Sequence, residues 1–372
     1  VSVYDQDPTD PRLDYDALRE AGISRNQQGT LIVARHGDVT QIATDPGTFS
    51  SAVSRFRQVP NGLDGPEHAR YRALIDPFFT PQRMAELQPR LQRVAAELLA
   101  ATSPRQVLDA VAELGSRYAV RAMTVWLGWP AELEPRLLAW MADNHSAARS
   151  GELARTRLVA EAYDQIIEEV VGPRLASGEF GDDVTGELIA LVYDGRPDAR
   201  AILVSILRNW TGGDLGSMAL CVGVVTHWLA THPESLGEFR ELDDQRLDQA
   251  IDEILRIDDP FVSNRRIATT DTEVSGCPIS AGQRIVLNWT AANRDPRVFG
   301  DPEAFRPQQN APHNLVYGVG PHMCPGRPLA SLELRIFTRA LLSHAAAIEL
   351  VGPTERELPP VGGYQRVLVR LG

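Results

Sequence analysis

Cys324 sits in the stretch Tyr317-Gly318-Val319-Gly320-Pro321-His322-Met323-Cys324-Pro325-Gly326, and a helical pattern starts straight after it at Arg327. Sulfur acts as a ligand or nucleophile only as a thiolate, so its neighbours decide what it can do. Gly318, Gly320 and Gly326 are expected at positive φ, where bare backbone can come close to a flat partner. Backbone N–H groups around Cys324 and the N-terminus of the next helix would stabilise negative charge on the sulfur. A lone thiolate held in this way suits an axial position on a haem iron, where sulfur donation favours O–O cleavage. The plainer reading is a buried, inert cysteine ahead of a helix, as most free cysteines are.

Three further constellations carry chemistry. His68 and Arg72, in Asp64-Gly65-Pro66-Glu67-His68-Ala69-Arg70-Tyr71-Arg72, are four apart on one face of a helix that starts near Asp64. Together they can hold an anionic group; a solvated helix surface is the alternative. The apolar run from Ala201 to Ala230 contains Thr211-Gly212-Gly213-Asp214-Leu215-Gly216-Ser217. Each glycine inside a helix costs about 1 kcal/mol against Ala, so an interruption, or a flat ligand passing close by, is expected there. Glu253 and Arg256 at i,i+3 are compatible with a surface ion pair.

The elements that position these groups are mainly helical. Residues 82–205 read as helix after helix, with Leu, Ala and Val at 3–4 spacing and breaks at Ser103-Pro104, Gly128-Trp129-Pro130 and Gly178. Thr30 to Ala34 reads as a short strand, and little else before residue 270 does. Asp271 to Val286 is expected to form a hairpin turning at Ser280-Ala281-Gly282.

Composition sets limits on the function. The chain has 372 residues, 43% of them hydrophobic, and a net charge of −12, which argues against nucleic acid as a partner. All 37 basic residues are Arg. No run of 18 apolar residues occurs, and Val1 to Pro8 lacks a basic segment followed by an apolar one. A cytoplasmic protein with no membrane partner is therefore expected. Cys221, Cys277 and Cys324 are far apart with no CxxC pair, so neither a disulfide framework nor a zinc site is expected. With no internal repeat and no dividing linker, residues 1–372 are expected to form a single domain.

The cysteine loop resembles the haem-binding loop of the cytochromes P-450, with Tyr317 where that family usually has Phe and His322 where it has Arg or His. The likeness runs from about residue 30 to the end, through Ala292-Asn293-Arg294-Asp295-Pro296, Phe299 to Phe305, and the tail Pro359-Pro360-Val361-Gly362-Gly363-Tyr364. It implies a mainly α fold with a small β region, a triangular helical prism around haem b (iron protoporphyrin IX). Cys324 would be the iron ligand, within a loop contributing Tyr317, Gly318, His322 and Gly326. His68, Arg72, Arg266 (selected over Arg265 by the register of Ala268 and Asp271) and His313 would contact the haem propionates. Glu253 and Arg256 would form a buried structural pair joined by Arg306, and Phe261 and Val262 would line the pocket. An acid and an adjacent Thr or Ser usually deliver protons to dioxygen in this family. Here Gly216 precedes Ser217, and the nearest acid is Asp214, so these two are the candidates; otherwise Asp214 caps a local break and Ser217 packs.

The activity implied is monooxygenation of a small hydrophobic substrate with O2, by hydroxylation or oxidative dealkylation. Arg208-Asn209-Trp210-Thr211 looks like a branch often fused to a flavin and iron–sulfur reductase, of which no pattern is present in this sequence. Electrons from NAD(P)H are therefore expected through ferredoxin reductase and ferredoxin, docking on a basic patch of Arg327, Arg335 and Arg339. Two alternatives remain. The missing acid before Ser217 suits a peroxide-driven peroxygenase. A non-enzymatic haem-binding sensor would have no need of the glycine-rich helix.

Overall fold

The computed structural model describes residues 10–26, 29–54, 57–103, 106–358 and 361–372. The stretch Val1 to Pro8, the break at Pro104, and Pro359 and Pro360 of the tail lie outside the described residues. The fold is mainly helical with a small β region. The first helices are α1 (Arg12–Ala21), α2 (His36–Thr44), α3 (Gly65–Ile75), α4 (Pro81–Ala100) and α5 (Ser116–Leu127). Next come α6 (Glu134–Ser150), α7 (Leu153–Ser177), α8 (Val184–Val192), α9 (Ala199–Thr231), α10 (Leu236–Glu241) and α11 (Asp244–Ile257). Three short helices, α12 (Trp289–Ala292), α13 (Pro296–Phe299) and α14 (Pro307–Asn310), precede α15 (Arg327–His344).

In α4, Met84, Leu87, Leu91, Val94 and Leu98 are buried at 3–4 spacing, and this stripe lies against α15. Helix α9 is the axle of the core, 33 residues and so about 50 Å long, in contact with α5, α6, α7, α8, α11 and α15. It is long and apolar enough to cross a membrane, yet here it is the core helix, with Leu203, Ile206, Leu215 and Val222 fully buried. The expected interruption at 211–217 does not occur. Packing on six neighbouring helices outweighs the glycine cost, and Thr211 and Ser217 turn their hydroxyls back to the carbonyls of Leu207 and Gly213.

The sheets are built from short strands: β1 (Ile23–Arg25), β2 (Leu31–Val33), β3 (Phe49–Ser50), β4 (Val107–Asp109), β5 (Ser263–Ala268), β6 (Thr272–Val274) and β7 (Cys277–Ile279). The remaining strands are β8 (Arg284–Asn288), β9 (Ile348–Leu350), β10 (Glu355–Arg356), β11 (Tyr364–Arg366) and β12 (Leu368–Leu371). The main sheet runs β1-β2-β8-β5-β3, with β2 parallel to β8 and β5 antiparallel to it. Strands β1, β3 and β4 were not expected, because two or three residues are too few to show alternation. The hairpin pairs β6 with β7 around Ser275 and Gly276, both at positive φ, while Ser280-Ala281-Gly282 leads on into β8.

A buried ion pair fastens the segment ahead of the cysteine loop. Arg256 donates to both carboxylate oxygens of Glu253 at 2.8 and 2.9 Å, with the two side chains 0% and 1% exposed. Arg256 also donates to the carbonyls of Asn293, Pro302 and Ala304. Glu253 Oε1 accepts from the Asn310 amide side chain and from the backbone N–H of Arg306. Arg306 thus joins through its backbone, and Asn310 supplies the side chain expected of it. Such a pair fixes an arrangement more than it stabilises the fold.

Candidate active site

The main-chain bonds of the cysteine loop close it on itself. The Cys324 amide donates to the Tyr317 carbonyl at 2.9 Å, and the Gly318 amide donates to the Leu315 carbonyl at 2.8 Å. Gly318 and Gly320 take φ of 70° and 78°, as expected, and a Cβ on Gly320 would stand 2.9 Å from the Ala43 carbonyl oxygen in α2. Gly326 differs: its φ is −79°, and a Cβ there would lie 3.8 Å from Cys324 Sγ and from the Phe79 ring. Burial pushes the Cys324 thiol up, while the backbone amides of Gly326 and Arg327 draw it down. Burial wins, so the amides alone do not ionise the sulfur; a cation bound there would.

Beside the loop lies a cluster with more cationic than anionic capacity. His68 and Arg266 are 6% and 5% exposed. The β5–β8 register turns Arg266 inward and leaves Arg265 exposed. The His68 and His322 rings are 4.2 Å apart, and His322 Nε2 is 3.0 Å from Asp64 Oδ1. Instead of capping α3, the Asp64 carboxylate accepts from Ser50 Oγ and the Ser51 amide. Arg266 donates only to the carbonyl of Arg265, at 2.8 Å, and has no ion pair among the described residues. Burial lowers His68, Arg266 and His322, the last to about 4, with His68 and Arg266 adding to the His322 shift. A buried guanidinium with one backbone acceptor, beside two histidines and one aspartate, has donors left for a second carboxylate. That donor set fits a haem propionate.

Arg72 and His313 are placed differently. Arg72 Nε donates to Asp76 at 2.7 Å, and Nη1 donates to the carbonyls of Pro321 and Met323 at 3.1 and 2.9 Å. It therefore clamps the cysteine loop from α3. His313 is exposed beside His36, whose Nε2 is 2.8 Å from the His313 carbonyl, and is not brought into the cluster. Phe261 is 47% exposed whereas Val262 is 5% exposed, so of these two only Val262 faces inward.

On α9, Asp214 and Ser217 point to different partners. Ser217 Oγ returns to Gly213, whereas the Asp214 carboxyl is buried against Glu333 of α15. Glu333 is 0% exposed, and apart from each other Asp214 Oδ2 and both Glu333 oxygens have no hydrogen-bond donor among the described residues. Burial pushes Asp214 up to about 7, and burial plus the facing acid pushes Glu333 well up. The Asp214 carboxyl thus pairs with Glu333 and not with Ser217. Gly216 faces His145, whose Nε2 would be 3.3 Å from a Cβ there, while Gly212 and Gly213 present bare backbone to open space. Sequence reasoning missed Glu333 and His145. The signal for Glu333 was its register: it lies four residues from both Leu329 and Phe337, on the buried stripe of α15.

Residues 245–347 match the profile of the family described as Cytochrome P450. Nocardicin C N-oxygenase of Nocardia uniformis subsp. tsuyamanensis is 32% identical over 346 residues, 87% of this chain and 84% of that protein. The chain belongs to the cytochrome P450 family. A second P450 relative, 6-deoxyerythronolide B hydroxylase of Saccharopolyspora erythraea, is 31% identical over 294 residues, covering 77% of this chain and 70% of that protein. Among solved structures, a mutant of P450 EryK in complex with erythromycin B superposes with a TM-score of 0.86 at 25% identity, over 97% of this chain and 96% of that one. The protein is thus a cytochrome P450 monooxygenase, and the family implies a haem cofactor.

The expected basic patch on this P450 is neutralised. Helix α11 carries Asp244, Asp248 and Asp252 at intervals of four, facing the arginines of α15. Arg327 reaches Asp252 at 3.4 Å, Arg335 reaches Asp248 at 2.6 Å, and Arg339 reaches Asp244 at 3.4 Å. These acids come 75 to 95 residues earlier in the chain, so reading α15 alone gave a net positive charge that the fold cancels.

Proposed function

We propose that this P450 inserts one oxygen atom of O2 into a small hydrophobic substrate, by hydroxylation or oxidative dealkylation, as one domain spanning residues 1–372. The observation that carries this reading is Cys324, with two amides aimed at its sulfur, two residues along the chain from a buried cluster with donors left for a carboxylate. Bound haem would supply dioxygen activation. Cys324 would ligate the iron, His68, Arg266 and His322 would hold a propionate, and Arg72 would keep the loop in register. Asp214 and Glu333 would keep a proton in the dry core beside α9. Gly212 and Gly213 leave room over the helix for substrate. Ferredoxin and its reductase are the electron source that fits a cytoplasmic P450.

The test combines two spectra. The reduced carbon monoxide complex absorbs where thiolate ligation places it, and Cys324→Ser loses that band; a Ser variant that keeps it removes Cys324 as ligand. A library of small hydrophobic compounds screened for the low-to-high-spin shift then identifies substrates. A peroxide-driven reaction is the second reading, supported by Gly216 in the usual place of the acid and by Asp214 turned toward Glu333. Turnover with hydrogen peroxide but not with reduced ferredoxin selects it.

A further inference from the structure

Tyr317 does more than occupy the place of an apolar ring. Its carbonyl holds the Cys324 amide, and its hydroxyl lies 3.4 Å from Ser331 Oγ and faces the side of the loop where the Asp252 carboxylate stands. Arg327 binds that carboxylate from the other side, and its guanidinium carbon stands 5.1 Å from the centre of the Tyr317 ring. Exposure rises outward along this row: the Asp252 side chain is 15% exposed and that of Arg327 is 50% exposed. Both side chains line a cleft of about 570 Å³ between α11 and α15, with Asp248, Ser331 and Arg335 on its walls. A phenylalanine at 317 would not reach Ser331, so the hydroxyl joins the loop to the cleft.

We propose that Asp252 is a positioning residue for the sulfur ligand: through Tyr317 it couples the Cys324 loop to the charge in the α11–α15 cleft and so sets the reduction potential of bound haem. This rests on Cys324 being the ligand, which the carbon monoxide spectrum tests separately. The charged and titratable groups facing Asp252 are Arg327 from α15, Tyr317 from the loop, Cys221 from α9, and Asp248 on its own helix, itself held by Arg335. Burial pushes Asp252 up to about 7; Arg327 draws it down and Asp248 raises it. Below that pH the carboxyl is neutral. Above it, a negative charge on Tyr317's partner disfavours an added electron on the far side of the loop, so the potential falls as pH rises through about 7. Whatever engages Arg327 in the cleft removes the counter-charge and acts in the same direction as a rise in the Asp252 charge.

The experiment is a mediated reductive titration of the haem-loaded protein at a series of pH values on either side of 7. Wild type shows a fall in potential centred near 7, and Asp252→Asn abolishes it. Tyr317→Phe keeps the carboxylate but loses the link, and the fall shrinks by at least half. Arg327→Gln moves the midpoint to higher pH, while Arg335→Gln, which touches Asp248 instead, leaves it near the wild-type value. The proposal is overturned if Asp252→Asn follows wild type. It is equally overturned if Tyr317→Phe keeps the full fall, because Asp252 would then act only as a charge through space. Should Asp252→Asn not retain haem, Tyr317→Phe and Arg327→Gln decide the matter by the same criteria.

Discussion

Asp214 and Glu333 face each other between α9 and α15, and among the described residues no other donor reaches Asp214 Oδ2 or either Glu333 oxygen. Two carboxylates cannot both stay ionised in that position, so the folded chain holds protons there that the unfolded chain releases above roughly pH 4. Both folded-state values are raised, and the stability they confer is therefore full in acid and lost as pH climbs toward and through about 7. Glu333→Gln supplies a donor that does not titrate and should flatten this dependence by at least about 1 kcal/mol across that range, one pKa unit being 1.36 kcal/mol. Denaturant unfolding at several pH values measures it, and an unchanged slope in the variant would sink the pairing.

The same pair bears on turnover. Asp214→Asn and Glu333→Gln should each slow substrate oxidation by roughly 10- to 100-fold with haem content and substrate binding intact, and the double variant should be little slower than either. Ser217→Ala should instead divert reducing equivalents to peroxide. Product formed per electron consumed, measured in all four proteins, separates these outcomes. Equal coupling throughout would leave ordered water along α9 as the proton route.

Haem retention tests the cationic cluster. Losing a charge-assisted hydrogen bond costs on the order of 1.5–3 kcal/mol, so Arg266→Ala should speed haem transfer to a scavenging globin by roughly 10- to 100-fold. His68→Ala should act in the same direction. His313→Ala, on the surface beside His36, should leave the rate at the wild-type value. A slow Arg266→Ala together with a fast His313→Ala would reverse the assignment.

Electron delivery should depend only weakly on salt. Exposed, unpaired charges are screened within about 8 Å at physiological ionic strength, but Arg327, Arg335 and Arg339 already have carboxylate partners and offer little net field to steer a ferredoxin. Stopped-flow reduction at low and high salt measures this. A steep fall with salt would mean that the pairs open on docking.

What could be read from the sequence was what chemistry restricts to particular residues. Cys324 stands out by its residue type among glycines, and Arg266, not Arg265, turns inward in the register expected. The Glu253–Arg256 spacing alone suited a surface pair, and only the family likeness implied the buried pair that the fold shows. Directions within helices were harder to read. Asp214 and Ser217 are one turn apart, but burial sends one carboxyl across to α15 while the hydroxyl folds back on its own backbone. Partners distant in the chain were harder still. Asp244, Asp248 and Asp252 cancel arginines that look free from α15 alone, and Arg306 contributes an N–H that no side-chain pattern announces. The continuity of α9 depends on six neighbouring helices, which no local propensity encodes.

The contact of Gly320 with α2 restricts how this enzyme can be re-engineered. With 2.9 Å between a hypothetical methyl at 320 and the Ala43 carbonyl, and 3.1 Å to Thr44, loop and helix have been fitted to each other as a lock is to its strike plate. Transplanting a ligand loop from a relative would carry in only half of that fit. A chimera would have to exchange His36–Thr44 together with residues 317–326, and the smallest portable unit is two segments almost three hundred residues apart.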